Sequence, residues 1–249
     1  MRAAAFAVAT VLGATPVLAA APFDHSAWES VLHRFVDDDG RVAYKDLAAE
    51  GRGALDGYLR ALANAQPDGW PSTEQIAFWV NAYNAMIVKA VLEGHTAESV
   101  VGRYQLFSRF SLPIAGRACT PDYVEKTVLH ALGESRVHFA LVWASTSSPK
   151  LRRHAWVRET LDHDLEEEAT RFVRDPRRNE ILPGSSDVRV SMIFRWYADD
   201  FGANEDAVRR YVARYAAERE RRFLEDDKPY LDYLHYDWTL NAQDGQRPK

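Results

Sequence analysis

The residues best able to do chemistry gather in one stretch, Arg136 to Leu151 (RVHFALVWASTSSPKL), where an apolar run carrying a single histidine, His138, breaks into a Ser/Thr/Pro loop. An imidazole titrates nearest neutral pH of the common side chains, and a hydroxyl becomes a useful nucleophile only beside a base. Pro149 biases Ser148 toward extended backbone, so Ser145, Thr146, Ser147 and Ser148 are presented where the run ends. Three further groups could serve such a site. Asn81 and Asn84, three apart in AFWVNAYNAM, share one helix face. If buried they need partners, and they act either as tethers for a neighbouring loop's backbone or as amides that orient a substrate. Glu125 reads either as a surface charge or as a catalytic carboxylate. His163 and Glu167 stand at i and i+4, a spacing that can chelate a metal. No third ligand is expected nearby in sequence, a solvated charged face is the expectation, and no metal site follows.

These groups must be held by a small set of elements. Eight of the nine residues from Val137 to Ser145 are apolar or small, which predicts a central strand, about 136–144, buried on both faces. Successive strand side chains point to opposite faces, so His138 need not look toward the loop. The run IAFWVNAYNAMIVKAVLEG is apolar nearly all round and predicts a buried helix, about 73–93, opened by a Ser72/Gln75 capping box and stopped by Gly94. Amphipathic helices are expected over 23–35, 47–65, 121–132, 154–175 and 204–224, with Thr120 and Asn204 as caps and short strands near 106–112, 114–118 and 188–190. Asp37-Asp38-Asp39-Gly40 is not a calcium loop, because its first carboxylate would fall at Phe35. The fold class is α+β: a helix-rich single domain with a small sheet around the central strand.

The first 21 residues combine Arg2, an apolar core from Ala3 to Leu18 and small residues at Ala19, Ala20 and Ala21, the pattern of a secretory signal peptide. The expected organisation is a signal peptide over 1–21, one globular domain over 22–241 and a disordered tail over 242–249, in a periplasmic or secreted protein. Cys119 is the single cysteine, so no internal disulfide holds the chain; the 47% hydrophobic fraction and seven Trp must supply the core. A net charge of −5, with both signs mixed, gives no footprint for nucleic acid. No later run approaches 18 apolar residues, so no membrane span is expected after signal cleavage. Neither a P-loop nor a dinucleotide fingerprint occurs, and no cofactor is expected.

The helix AFWVNAYNAM, the segment Gly116…Tyr123-Val124-Glu125, RVHFALVWAS…SPKL, IFRWYADDFG and YDWTLN occur in the order found in the bacterial and plant family catalogued as domain of unknown function 547, which the chain resembles over nearly all its length after residue 21. The family looks like a distant relative of the papain or transglutaminase-like thiol group. Its members commonly read H-F-A-L-x-C-A-S/A-x-x-C-P-x-L, and the two cysteine positions are Trp143 and Ser148 here. The family's histidine, acidic residue and amides match His138, Glu125, Asn81 and Asn84.

Three readings remain open. In the first, the chain is a binding or scaffold module that has lost the family cysteines, with a cleft lined by Trp79, Tyr83, Trp143 and Trp196 holding a peptide, glycan or small-molecule ligand. In the second it is a hydrolase or acyl transferase. His138 would be the base and Ser148 the nucleophile, Asn81 or Asn84 would act as oxyanion donor or orienter, and Asp237 or Glu125 would fix the tautomer. Serine is far less acidic than cysteine, which weighs against this reading. In the third, these polar residues form a buried network that fixes packing.

Overall fold

The helix Ser72–Leu92 is buried along nearly its whole length, and Glu74, Asn81 and Asn84 are the polar side chains it takes inside. A helix so apolar can only be satisfied by neighbours on every side. In the computed structural model, which describes residues 22–248, those neighbours are amphipathic helices and irregular segments. The expected signal peptide lies outside the described residues. Helices of nine or more residues are α1 (Ser26–Phe35), α2 (Arg52–Ala63), α3 (Ser72–Leu92), α4 (Leu161–Arg174), α5 (Glu205–Tyr215) and α6 (Glu218–Asp226). α1 turns Trp28, Val31, Leu32 and Phe35 onto α2, which answers with Leu55, Tyr58, Leu59 and Leu62. α2 and α4 both pack on α3, and α5 packs on α4.

Two small sheets complete an α+β fold. Leu112–Ile114 pairs antiparallel with Arg117–Cys119, Leu112 opposite Cys119, through a turn at Ala115 (φ 50°) and Gly116 (φ 73°). Two consecutive positive φ values are what a tight two-residue hairpin demands. Asp187–Val190 pairs parallel with Tyr230–Tyr233. Thr120 and Asn204 cap their helices as expected, by accepting from the Tyr123 and Ala207 N–H groups. The Ser72 cap does not form: Pro71 stands at the N-cap, and Gln75 donates to the Trp70 carbonyl instead.

The stretch 136–144 is buried but is not a strand. Ser135–Phe139 winds into a 3-10 turn, and the chain then runs irregularly through the core to a bridge between Ser145 and Leu240. A short apolar run reports burial without reporting conformation. Here the peptide groups are satisfied by side chains rather than by a ladder. Asn84 donates Nδ2 to the Ala140 carbonyl (3.0 Å) and accepts from the Val142 N–H (3.0 Å), while Ser148 Oγ accepts from the Trp143 N–H (2.9 Å). Asn81 treats Trp156 the same way, donating to its carbonyl (2.7 Å) and accepting from its N–H (3.0 Å).

Within the tail for which disorder is expected from sequence, residues 243–247 bond to the domain. Gln243 donates to the Phe35 and Arg41 carbonyls, Gln246 pairs with Asp46, and Arg247 pairs with Glu98. Among the described residues no helix is long and apolar enough to cross a membrane.

Removing the Asn84 amide leaves a buried C=O and a buried N–H without partners, at ~1–3 kcal/mol each. Asn84→Ala should therefore cost ~2–4 kcal/mol in urea unfolding. A loss below ~1 kcal/mol would mean that the clamp does not hold the segment.

Candidate functional site

His138 sits in the 3-10 turn Ser135–Phe139, and its Nε2 donates to Asp200 Oδ2 at 2.7 Å. Asp200 lies in a second 3-10 turn, Ala198–Phe201, and its other oxygen is 3.3 Å from His130 Nδ1. With Nε2 protonated toward the carboxylate, Nδ1 carries the lone pair. It is buried and has no partner among the described residues. The Tyr197 ring stacks on the imidazole (centroids 3.9 Å, 30°) and Phe201 meets it at an angle. Burial holds the His138 pKa below the usual imidazole value, outweighing the opposing pull of Asp200.

On the other side of Tyr197 lies Glu125, only 6% exposed. It rides on the widened π-helical turn Val124–Leu129, a geometry that often accompanies function. The Tyr197 hydroxyl donates to one carboxylate oxygen (2.5 Å) and the Tyr83 hydroxyl to the other (3.3 Å). Burial pushes the Glu125 carboxyl up to about 7, against the lowering effect of Tyr197, Lys126 and Tyr83. A carboxyl that titrates near neutrality can give or take a proton at working pH.

His138, His130, Glu125, Trp196, Tyr197 and Asp200 line a cleft of about 380 Å³. A second hollow of about 310 Å³, bordered by Arg103, Trp143 and Trp238, shares Glu125, Lys126, Trp196 and Tyr197 with it, so the two adjoin along these side chains and together make up the groove. Trp196 stacks near-parallel on Trp238 (5.8 Å, 28°), Trp143 faces both, and the Arg103 guanidinium lies over Trp238.

The structure brings some of the sequence candidates together and separates others. His138, Glu125, Trp143 and Trp196 border the groove, and Tyr83 lies beneath it through its hydroxyl. Asn81 and Asn84 are fully occupied as backbone tethers. Trp79 is buried edge-on against Phe78 and borders neither hollow. Ser148 is 1% exposed; its hydroxyl accepts from Trp143 and donates to the Pro149 carbonyl, beside a different hollow that shares no lining residue with the His138 cleft. Asp237 is exposed and caps the Thr239 N–H. Cys119, buried in the hairpin, borders neither part of the groove. Thus, among the described residues, no serine hydroxyl or cysteine thiol stands at the imidazole. Asp200, Tyr197 and Trp238 were not singled out from sequence as site residues. The acidic pair inside the aromatic run IFRWYADDF was the signal that could have found Asp200. For His163 and Glu167, a third ligand exists in the adjacent Asp164, but its carboxylate is held by Arg152 (3.1 Å) and Thr160.

A helix-rich α+β domain with a histidine–aspartate pair and a buried glutamate around one tyrosine is thus the class the fold and groove define. Residues 67–173 match the family model described as protein of unknown function, DUF547, and that stretch belongs to this family. It includes α3, Glu125, His138 and the serine loop, whereas Tyr197, Asp200 and Trp238 lie beyond it. No curated protein and no solved structure matches the chain.

Because the folded-state pKa of Glu125 is raised, the native protein binds its proton more tightly than the unfolded chain. The stability this contributes is complete below pH ~4.5 and is lost as pH rises toward and through about 7. The span corresponds to ~3 kcal/mol at most. Thermal stability of the wild type should fall across this window, and Glu125→Gln, which cannot ionise, should flatten the decline. An unchanged slope in the variant would show that other groups carry it.

Proposed function

We propose that the chain is an exported binding module that holds a small polar ligand of glycan chemistry in the groove between His138 and Trp238. One observation carries the reading: two adjoining hollows that share Glu125, Lys126, Trp196 and Tyr197 set indole faces at one end and hydrogen-bonding groups at the other. Trp143, Trp196 and Trp238 supply the faces; Glu125 and the His138–Asp200 pair supply the polar end. Binding sites commonly combine apolar walls with a few placed polar groups. A sugar ring has the matching duality, with an apolar C–H face and hydroxyls around its edge. The burial of Ser148 and the remoteness of Cys119 weigh against acyl transfer, since neither can reach a substrate held at the imidazole.

A second reading is favoured by one feature, the Glu125 carboxyl that titrates at about 7 beside a histidine with a bare Nδ1. In that reading His138 or Glu125 activates water rather than a serine, and the protein is a hydrolase without a covalent intermediate.

Trp196, 42% exposed, is the residue to remove first, because its loss should disturb the core little. Calorimetric titration with chito-oligosaccharides and β-glucan oligomers should show binding to at least one series. Trp196→Ala should weaken it at least tenfold with little change in melting temperature. No heat with either series, or equal affinity in the variant, would count against the module. Glu125→Gln separates the two readings: retained ligand with no turnover in either protein supports binding alone, while turnover abolished only in the variant supports the hydrolase.

A further inference from the structure

Away from the groove, the solvent side of α1 meets the loop that enters α4. There His33 Nε2 (3.0 Å) and His154 Nδ1 (2.9 Å) both donate to the same oxygen of Glu29. The two imidazoles stand edge to face, 4.5 Å between centroids at 88°, and the three donor atoms all lie within 4.8 Å of one another. We propose that Glu29, His33 and His154 form a binding site for one divalent transition-metal ion of the zinc type, with a fourth position open to water or a further ligand.

The geometry fits such an ion. Zinc bonds to imidazole nitrogen and carboxylate oxygen are ~2.0–2.2 Å, which places tetrahedral ligands about 3.3–3.5 Å apart. The observed separations of 3.0 and 2.9 Å therefore need only a small retreat of the carboxylate to admit the metal. Glu29 and His33 are spaced one helical turn apart on α1, so both project from one face. His154 comes from 121 residues further along the chain, and for that reason the set is invisible in sequence.

The surroundings orient these groups. The second oxygen of Glu29 accepts from the Ala155 N–H, which fixes the carboxylate rotamer and leaves one oxygen facing the imidazoles. The Arg153 guanidinium donates to the His33 carbonyl (3.1 Å) and pairs with Asp38, lacing the loop to the end of α1. Outer contacts of this kind are what hold metal ligands in place. Two nitrogens and one oxygen select a borderline ion such as zinc, cobalt or nickel over calcium or magnesium, which demand oxygen. The side chains are a third to three-fifths exposed, so entry needs no opening. Glu29 and His154 also border a hollow of about 640 Å³, which gives a ligand on the open position somewhere to sit. The His163 cluster has no such freedom, because Arg152 already holds its Asp164.

Titration of the untagged chain with Co²⁺ is the test, followed by Zn²⁺ calorimetry and competition with Ca²⁺. One equivalent should bind with visible d–d bands, Zn²⁺ should displace it and excess Ca²⁺ should not. His33→Ala and His154→Ala should each weaken binding at least tenfold, and His163→Ala should leave it unchanged. X-ray absorption on the Co²⁺-loaded wild type, which needs no variant to fold, should count two imidazole ligands. Absence of Co²⁺ bands and Zn²⁺ heat up to millimolar metal would overturn the site. So would affinity unchanged in the His33 and His154 variants, loss of binding in His163→Ala, or fewer than two imidazoles on the ion.

Discussion

Two carboxamides on one buried helix set most of what the rest of the chain can do. α3 offers its neighbours an almost wholly apolar surface, and such a surface has no means of telling one backbone segment from another. Asn81 and Asn84 provide that distinction. Each presents a C=O and an N–H side by side, the same pair a neighbouring strand would offer, and each makes two bonds to adjacent peptide groups of a segment that has no strand beside it. Through Asn84 the chain from Ala140 to Val142 is fixed without a sheet. Through Asn81 the loop at Trp156 is fixed, and with it the approach to α4. Buried peptide groups left without partners would cost more than the folded state can spare.

The groove follows from this anchoring. Once Ala140 and Val142 are held, His138 and Trp143 project at the two ends of one short segment, toward its polar and aromatic halves. Tyr197 then stands between the two titratable groups. One face stacks on the His138 imidazole while its hydroxyl donates to Glu125, so a single side chain touches both titratable groups. Burial moves the two in opposite senses, the carboxyl upward and the imidazole downward, because removal from water penalises the charged form of each.

The serine loop illustrates how resemblance and geometry can part. Ser148 stands where the resemblance implies a cysteine, yet its hydroxyl bridges the Trp143 N–H and the Pro149 carbonyl, and the buried Arg178 guanidinium holds its own carbonyl. Ser145 pairs with Tyr236, and Ser147 and Thr146 knit the loop to residues 237–239. A run of hydroxyls that reads as a reactive rim is therefore a joint between the core segment and the C-terminal stretch. Hydroxyls compete well for nearby backbone groups, and that local bonding is invisible to a reading by residue type.

Much of the fold was legible in sequence, and some of the site was not. The all-round apolar pattern of Ile76 to Leu92 identified the buried helix, the periodicity of Leu55 to Leu62 identified the helix laid against it, and that of Trp28, Val31, Leu32 and Phe35 identified the helix packed on that one in turn. The tethering role of Asn81 and Asn84 was among the readings their spacing allowed. These properties are local, because a helix's face is decided by residues three and four apart. The conformation of Val137 to Ala144 was not local: with no strand beside it, an apolar run that could have been a strand became a tethered irregular segment. Sequence alone likewise placed His138 and Glu125 on the page as chemical groups. Only tertiary structure decided that Asp200 and Tyr197 join them, that Ser148 does not, and that His154 comes to Glu29 and His33. Contacts between residues far apart in the chain depend on how whole elements pack, and no spacing along the sequence encodes that.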